Sequence, residues 1–272
     1  MAALVGGGVL LVAPAVHAQR RWVDDDAVEP KLGVRAGAGF GVGVLTYSGA
    51  ADKTLARAGT GLNVEGRVGL GHGLELGARV GFRFDDAGRG LRADELARGF
   101  ETPTFGTGLS TVANPELRLR WRVRRWRWLE LGAEDRLVIP VPSDRDFTEV
   151  LGIWASAHLA GVARADVGLE GVASWQSFAV GYVTVLALGA PIRLWVSPTQ
   201  RSFAGLVVAP RYYGATPYTT GTAEVATGLV LGYRVRACDT DVGLYLVDVV
   251  DSGIDRSGAG LRVSCRIGSA YR

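Results

Sequence analysis

The chain contains few of the side chains from which metal and redox sites are usually built. It has only two cysteines and three histidines in 272 residues, and His17, His72 and His158 are far apart in the sequence. A structural zinc site takes about four Cys, His or carboxylate ligands, typically in closely spaced pairs. No such spacing occurs here, so the sequence predicts neither a metal site nor a cofactor.

The chain also lacks an apolar run long enough to cross a bilayer as a helix, which takes about 20 residues. The Gly-rich apolar run at the N-terminus ends near Val12, and Val16-His17-Ala18 offers small or medium residues where a signal peptidase cleaves. No Lys or Arg precedes that run, and the alternative is a buried N-terminal strand. We predict a signal peptide over residues 1–18, followed by a polar periplasmic lead-in over residues 19–30.

What the chain does contain, many times over, is alternation of apolar and polar residues with a period of two. Between Leu62 and Phe84, apolar residues at most even positions alternate with Glu, Arg and Gly, and Gly71-His72-Gly73 interrupts the pattern. Such alternation indicates strands with one apolar and one polar face, and a short Gly-rich turn between them makes a hairpin. Leu32–Tyr47 repeats the pattern, with glycine at most positions of its polar face.

Similar segments continue to the C-terminus and predict an all-β, antiparallel up-and-down chain of about 12 strands, with roughly 10 to 14 as the range. Pro191 makes the region Gly189–Ser202 ambiguous, because proline is poorly tolerated inside a paired strand. Ile192–Ser197 either continues the eighth strand past a bulge or forms a short strand of its own. Short turns near Gly71, Arg124, Gly161 and Cys238 alternate with longer connections.

The two-faced strands, the alternating turn lengths and the aromatics at strand ends together resemble bacterial outer-membrane β-barrels of the porin-like class. The resemblance covers about Lys31–Arg272 as a single domain and rests on pattern, without a diagnostic motif. It implies a transmembrane barrel in the outer membrane of a Gram-negative bacterium, in contact with membrane lipid and the outer-membrane assembly machinery. Such proteins often end in an aromatic residue, whereas here Tyr271 is followed by Arg272.

The polar faces of the strands would then line the lumen of the barrel. Arg outnumbers Asp and Glu on these faces, which favours a weak preference for anions. The leading interpretation is a narrow passive channel for small solutes, and the alternative is a filled barrel with a structural or surface-interaction role and no transport. The basic residues are mostly dispersed through strands, so nucleic acid is not an expected partner. The predicted pore-lining residues are Arg35, Glu65, Arg67, Glu75, Arg79, Glu116, Arg118, Arg120, Glu130, Glu134, Arg136, Arg164, Asp166, Glu170, Arg234 and Arg262.

Ser156, His158 and Glu170 lie on one face of adjacent predicted strands. Some outer-membrane lipid hydrolases resemble this arrangement, although in those families the His precedes the Ser. Here all three side chains would face the lumen, whereas hydrolysis of membrane lipid needs the opposite exposure. We therefore predict no catalytic residues and keep a hydrolase using Ser156 and His158 only as an alternative. A soluble ligand-binding barrel is a further alternative, and its apolar faces would point inward.

Two predictions concern single contacts in the barrel wall. Symmetric closure of the hairpins pairs Glu65 with Arg79, and Arg120 with Glu130. Cys238 and Cys265 are a candidate disulfide near the periplasmic end, in a compartment that permits one. The prediction places one strand between the two cysteines, which separates them by about 9 to 10 Å. A disulfide needs Cα atoms within roughly 7 Å, so the unbonded state is favoured.

Overall fold

The structure is a computed structural model, and it describes residues 21–48, 54–83, 112–139, 147–178, 181–215, 221–249 and 254–268. The predicted signal peptide, residues 1–18, lies outside the described residues. The strands are β1 Val34–Ser48, β2 Thr54–Gly71, β3 Leu74–Arg83, β4 Val112–Arg125, β5 Leu129–Val138, β6 Phe147–Leu159, β7 Ala163–Phe178, β8 Gly181–Gly189, β9 Ile192–Val196, β10 Ser202–Tyr213, β11 Thr222–Val235, β12 Cys238–Val249 and β13 Ile254–Ile267.

These strands form one antiparallel sheet that closes on itself, because β1 pairs with both β2 and β13. Both β8 and β9 lie between β7 and β10. They therefore make up a single transmembrane strand, and the barrel has twelve such strands in its described part. The break between them is Ala190-Pro191, where the Pro191 carbonyl still accepts a hydrogen bond from Gly168 N at 2.8 Å. The ambiguous region thus continues the eighth strand past an irregularity.

The apolar faces of the strands point away from the lumen, as predicted. Leu76 and Leu169 are 44% and 47% exposed, while Glu75 and Glu170, one residue away on the same strands, are 1% and 7% exposed. A soluble barrel would bury these leucines, so their exposure over the whole wall indicates a surface that faces lipid. No helix among the described residues is long and apolar enough to cross a membrane.

The hairpin registers confirm one predicted pair and correct the other. Glu65 lies opposite Arg79. Arg120 lies opposite Glu134 instead of the predicted Glu130, because the turn after β4 is further along the chain than the sequence pattern suggested. A shift by an even number of residues keeps every side chain on its original face. The predicted facing of this hairpin is therefore right, although its register was wrong.

Cys238 and Cys265 form a disulfide between β12 and β13. The prediction against it was wrong because β12 already begins at Cys238, so the two cysteines lie on neighbouring strands, directly opposite one another. Their Cα atoms are 4.0 Å apart, and no strand intervenes. The disulfide lies at the end of the barrel where the connections between strands are short. We call this the short-turn end, and in outer-membrane barrels it corresponds to the periplasmic side.

The residues that precede the wall lie inside the barrel. Arg21–Pro30, which we call the N-terminal segment, begins with a 3-10 turn over Trp22–Asp24 and occupies the lumen at the short-turn end. Val23 and Val28 are 0% and 1% exposed within it. Residues 21–30 of the predicted periplasmic lead-in therefore lie within the lumen at its short-turn end, and residues 19 and 20 lie outside the described residues.

Candidate functional site: the barrel lumen

All sixteen side chains predicted to line the pore lie on the lumen-facing side of their strands, and all are buried or half-buried. The structure adds inward-facing charges that the prediction missed. Arg193 was missed because Pro191 obscured the alternation of its strand. Asp239 and Asp241 were missed because the sequence pattern predicts the start of β12 only at Val242, whereas β12 begins at Cys238. The lumen residues on the wall that the prediction missed are Arg193, Arg211, Glu224, Asp239, Asp241 and Arg266, whereas Arg122 is on the face predicted to point inward.

A belt of ion pairs connects many of these wall residues across neighbouring strands. Glu134 accepts a hydrogen bond from Arg118 Nη2 at 2.6 Å and lies 3.1 Å from Arg136 Nε. Arg136 Nη2 in turn lies 2.8 Å from a carboxylate oxygen of Glu170. Arg211 continues the belt, because its guanidinium is 3.6 Å from Glu170 and 3.1 Å from Glu224. The belt lets buried charges neutralise one another within the wall.

Inward-facing aromatic side chains lie flat along the wall, each over a glycine of the neighbouring strand. Trp195 lies opposite Gly205, and a Cβ atom on that glycine would be 2.3 Å from the indole ring. Phe203 lies over Gly232 in the same way, with the corresponding distance 2.1 Å. These glycines are needed because any larger residue would push the rings towards the lumen axis. They leave room in the lumen for the N-terminal segment.

Asp25 of the N-terminal segment is held by arginines from three strands. Arg234 donates two hydrogen bonds to its carboxylate, from Nη2 at 2.6 Å and from Nη1 at 3.3 Å. Arg266 donates to the same carboxylate, and Arg35 Nη2 lies 4.0 Å from it. Asp239 on β12 accepts from Arg234 Nε at 2.6 Å. A carboxylate between guanidinium groups makes strong, oriented hydrogen bonds.

The other acidic residues of the segment have arginine partners of their own. Asp26 accepts hydrogen bonds from Arg122 at 3.3 Å and from Arg125 at 2.8 Å. The Glu29 carboxylate lies 2.7 Å from Arg35 Nε. Arg122 and Arg125 are far from Asp26 in the sequence, so the segment meets them only because the barrel has closed around it.

The backbone of the segment is also hydrogen-bonded by side chains of the wall. Ala27 N donates to Glu130 at 3.3 Å, and its carbonyl oxygen accepts from Arg120 Nη1 at 2.6 Å. Glu29 N donates to Glu75 at 2.8 Å. Buried backbone groups need such partners in place of water. Three predicted pore-lining residues, Arg120, Glu130 and Glu75, therefore bind the segment in this structure.

Aromatic stacking holds the start of the segment. The Trp22 ring lies nearly parallel to Phe203, with centroids 4.7 Å apart, and its centroid is 4.6 Å from that of Trp195. Val23 is buried in the same cluster. Apolar and aromatic packing thus supplements the charged contacts at the short-turn end.

The lumen also contains an empty space of about 1030 Å³, which includes a part that is open to solvent. Nine arginines and six carboxylates line it, and three of those carboxylates belong to the N-terminal segment. The wall alone therefore presents a large arginine excess to this cavity. The arginines are Arg35, Arg67, Arg79, Arg118, Arg120, Arg136, Arg164, Arg193 and Arg262.

The three residues considered for lipid hydrolysis have other partners. His158 Nδ1 lies 2.8 Å from the Val23 carbonyl oxygen, and its Nε2 is 3.7 Å from a carboxylate oxygen of Glu130. Glu170 pairs with arginines in the ionic belt, away from His158. Ser156 is 1% exposed and faces the lumen. None of these groups faces the lipid, which membrane-lipid hydrolysis would require.

Comparison with known proteins finds structures with a similar fold but no matching sequence. No family model and no curated protein sequence matches the chain. Among solved structures, an outer-membrane channel from Pseudomonas putida F1 superposes with a TM-score of 0.63 at 12% identity, covering 90% of this chain and 99% of its own. The NanC porin gives 0.54 at 9% identity, covering 86% and 98%. The KdgM porin, solved with disordered oligogalacturonate, gives 0.51 at 8% identity, covering 84% and 98%.

These neighbours are outer-membrane barrels, and they match this chain over nearly their whole length. The fold and the exposed apolar wall agree with one another. The chain is a transmembrane β-barrel of the bacterial outer-membrane, porin-like class. The predicted fold class and location are confirmed.

Proposed function

We propose that this barrel is a narrow passive channel for small solutes, with a weak preference for anions. The observation that carries the proposal is the lumen cavity and its excess of arginine over carboxylate groups. Rings of Arg favour the passage of anions. The neighbours with similar folds are channels and porins, which supports transport over catalysis. The sixteen predicted pore-lining residues would then contact the solute or set the field that it crosses.

Reversal potentials in a planar bilayer test this proposal. We expect a small single-channel conductance in a KCl gradient, with a reversal potential of the sign that indicates faster chloride than potassium permeation. Arg67→Gln removes a cavity-lining charge and should shift the reversal potential towards cation selectivity. Arg201→Gln is the matched control, because Arg201 is an exposed residue in the turn before β10. A cation preference in the wild-type protein would refute the anion assignment.

The second candidate is a filled barrel without transport, and one observation favours it. The N-terminal segment takes up the lumen at the short-turn end, where side chains of the wall hydrogen-bond its backbone at Ala27 and Glu29. A barrel that keeps this segment in place would conduct little. Absence of conductance both in the wild-type protein and after removal of residues 21–29 would leave the filled barrel as the function.

A further inference from the structure

The wall groups that hold Asp25 form a distinct cluster, which we call the carboxylate clamp and define as Arg35, Arg234, Arg266 and Asp239. The four residues lie on four consecutive strands of the closed wall, β11, β12, β13 and β1. Their side chains are at most 15% exposed. Arg234 binds Asp239 through Nε and Nη2 and binds Asp25 through its two terminal nitrogens. The clamp is thus shaped to receive one more carboxylate beyond its own.

The charges of the clamp balance only while the segment is present. Three guanidinium groups face Asp239 on the wall, and the segment adds Asp25 against all three and Glu29 against Arg35. Without the segment, the four clamp residues carry two positive charges in excess. Guanidinium groups make strong, oriented hydrogen bonds to carboxylates, so the position that Asp25 takes favours an anion.

A second arginine group, Arg122 and Arg125 at the end of β4, receives the next residue of the segment. Asp26 contacts Arg122 and Arg125, whereas Asp25 contacts the clamp. Consecutive residues therefore deliver two carboxylates to two separate arginine groups. A small molecule with two or three carboxylates could match both groups together, while a monocarboxylate could match only one.

From this geometry we infer that the carboxylate clamp and the Arg122–Arg125 group together bind small di- or tricarboxylates, and that Asp25 in the clamp and Asp26 in the second group act as an internal substitute. Solute and segment then exclude each other, so that a polycarboxylate displaces the segment and opens the short-turn end. The inference rests on the proposed channel function, for which it names the solute class and the means of opening.

Isothermal titration of the full-length protein in detergent with citrate tests the site directly. Asp25→Asn removes the internal competitor, and we expect the apparent Kd for citrate to fall about tenfold, because the fraction of protein with a vacant site rises. Asp24→Asn is the matched control: it makes the same charge change in the same acidic run, and Asp24 makes no ion pair among the described residues. Equal citrate affinity in the two variants would overturn the inference.

Two further titrations identify the binding site and the class of anion that it binds. Arg234→Gln added to Asp25→Asn should weaken citrate binding at least about tenfold, since it removes the central clamp residue, with heat-modifiable migration in gels as the check on folding. Acetate and inorganic phosphate replace citrate in parallel titrations of Asp25→Asn. Citrate should bind more tightly than either. Phosphate binding as tight as citrate would overturn the polycarboxylate assignment.

A covalent link between the segment and the wall distinguishes competition between segment and citrate from citrate binding that leaves the segment in place. Val23 N lies 3.4 Å from Ser197 Oγ, so Val23→Cys with Ser197→Cys is a candidate cross-link between segment and wall. The oxidised variant should not bind citrate, and reduction should restore binding to the level of reduced wild-type protein. Citrate binding to the locked form would contradict mutual exclusion. Citrate binding without any conductance would refute the channel function but support the carboxylate site. Conductance without citrate binding would support the channel function but refute the carboxylate site.

Discussion

The lumen contains two kinds of ion pair that differ in how they are held. Wall pairs, such as Arg118–Glu134 and Arg211–Glu224, join neighbouring strands whose register is fixed by a continuous backbone ladder. Segment pairs, such as Asp25–Arg234, join the wall to a short stretch that lies before the first wall strand. The wall pairs persist as long as the barrel is folded. The segment pairs can be lost together while every wall strand stays in place.

The difference shows how an arginine-rich lumen is neutralised in two ways. In the belt, each arginine has carboxylates from its own or nearby strands. At the short-turn end the wall supplies fewer carboxylates than guanidinium groups, and the segment provides the remainder. The first arrangement stabilises a permanent structure. The second is suited to exchange, because any anion of the right shape can take the place of the segment.

Breaking a wall pair should have the largest effect on stability. Arg136 is 2% exposed and lies between Glu134 and Glu170. Arg136→Leu would leave both carboxylates with fewer partners, and we expect a loss of about 3 to 5 kcal/mol in the free energy of unfolding. Urea titration in lipid vesicles, followed by tryptophan fluorescence, measures it.

The matched change in a segment pair is Asp26→Asn. Among the described residues, the ion-pair partners of Asp26 are Arg122 and Arg125, which are more exposed than Arg136. The segment can also withdraw into water, so the expected loss is under about 1 kcal/mol. If Asp26→Asn cost as much as Arg136→Leu, the segment would be an integral part of the barrel and the distinction between the two kinds of pair would fail.

The disulfide should have the next largest effect, and it should act on the wall alone. Cys238 and Cys265 precede Asp239 and Arg266 of the carboxylate clamp by one residue each on paired strands. Cys238→Ser with Cys265→Ser should lower the free energy of unfolding by about 2 to 4 kcal/mol, since the bond restrains the unfolded chain. The conductance should stay that of the wild-type protein, because the β12–β13 ladder still positions the clamp. A large rise in conductance would mean that the disulfide also holds the segment.

The architecture of the wall could be predicted because its signal is local. Alternation with a period of two assigns each side chain to lipid or lumen without any knowledge of register. That is why Arg120 and Glu134 were both placed inward although the predicted partner of Arg120 was wrong. Register depends on where each turn closes, and several charged or aromatic residues could serve as the turn after β4.

The N-terminal segment could not be predicted because its partners are distant in the sequence. Asp25 meets Arg234 and Arg266 only after the barrel has closed, and the segment is too short to show a period of its own. One signal was available: the surplus of arginine over carboxylates among the inward-facing residues. An acidic run, Asp24-Asp25-Asp26, immediately before a wall with that surplus is a candidate partner for it.

Gly69 provides a way to move the segment by a single substitution in the wall. It faces the lumen on β2, and a Cβ atom at this position would lie 2.0 Å from the Pro30 carbonyl oxygen and 2.4 Å from that of Glu29. The segment can pass there only because residue 69 has no side chain. Gly66 is on the same strand, and a Cβ atom there would have no atom within 4 Å.

Gly69→Ala and Gly66→Ala should therefore differ in conductance while both leave the barrel stable. Alanine favours a strand by roughly 0.5 to 1 kcal/mol, so Gly66→Ala should change the stability least of the series. Gly69→Ala must also displace the Pro30 backbone and should be the less stable of the two. Gly69→Ala should raise the single-channel conductance, because Glu29 and Pro30 must shift and the contacts of Glu29 with Glu75 and Arg35 are lost with them. Gly66→Ala should conduct like the wild-type protein. Equal conductance in the two folded variants would show that the segment does not control passage, and the exchange between segment and solute would then have no role in opening the channel.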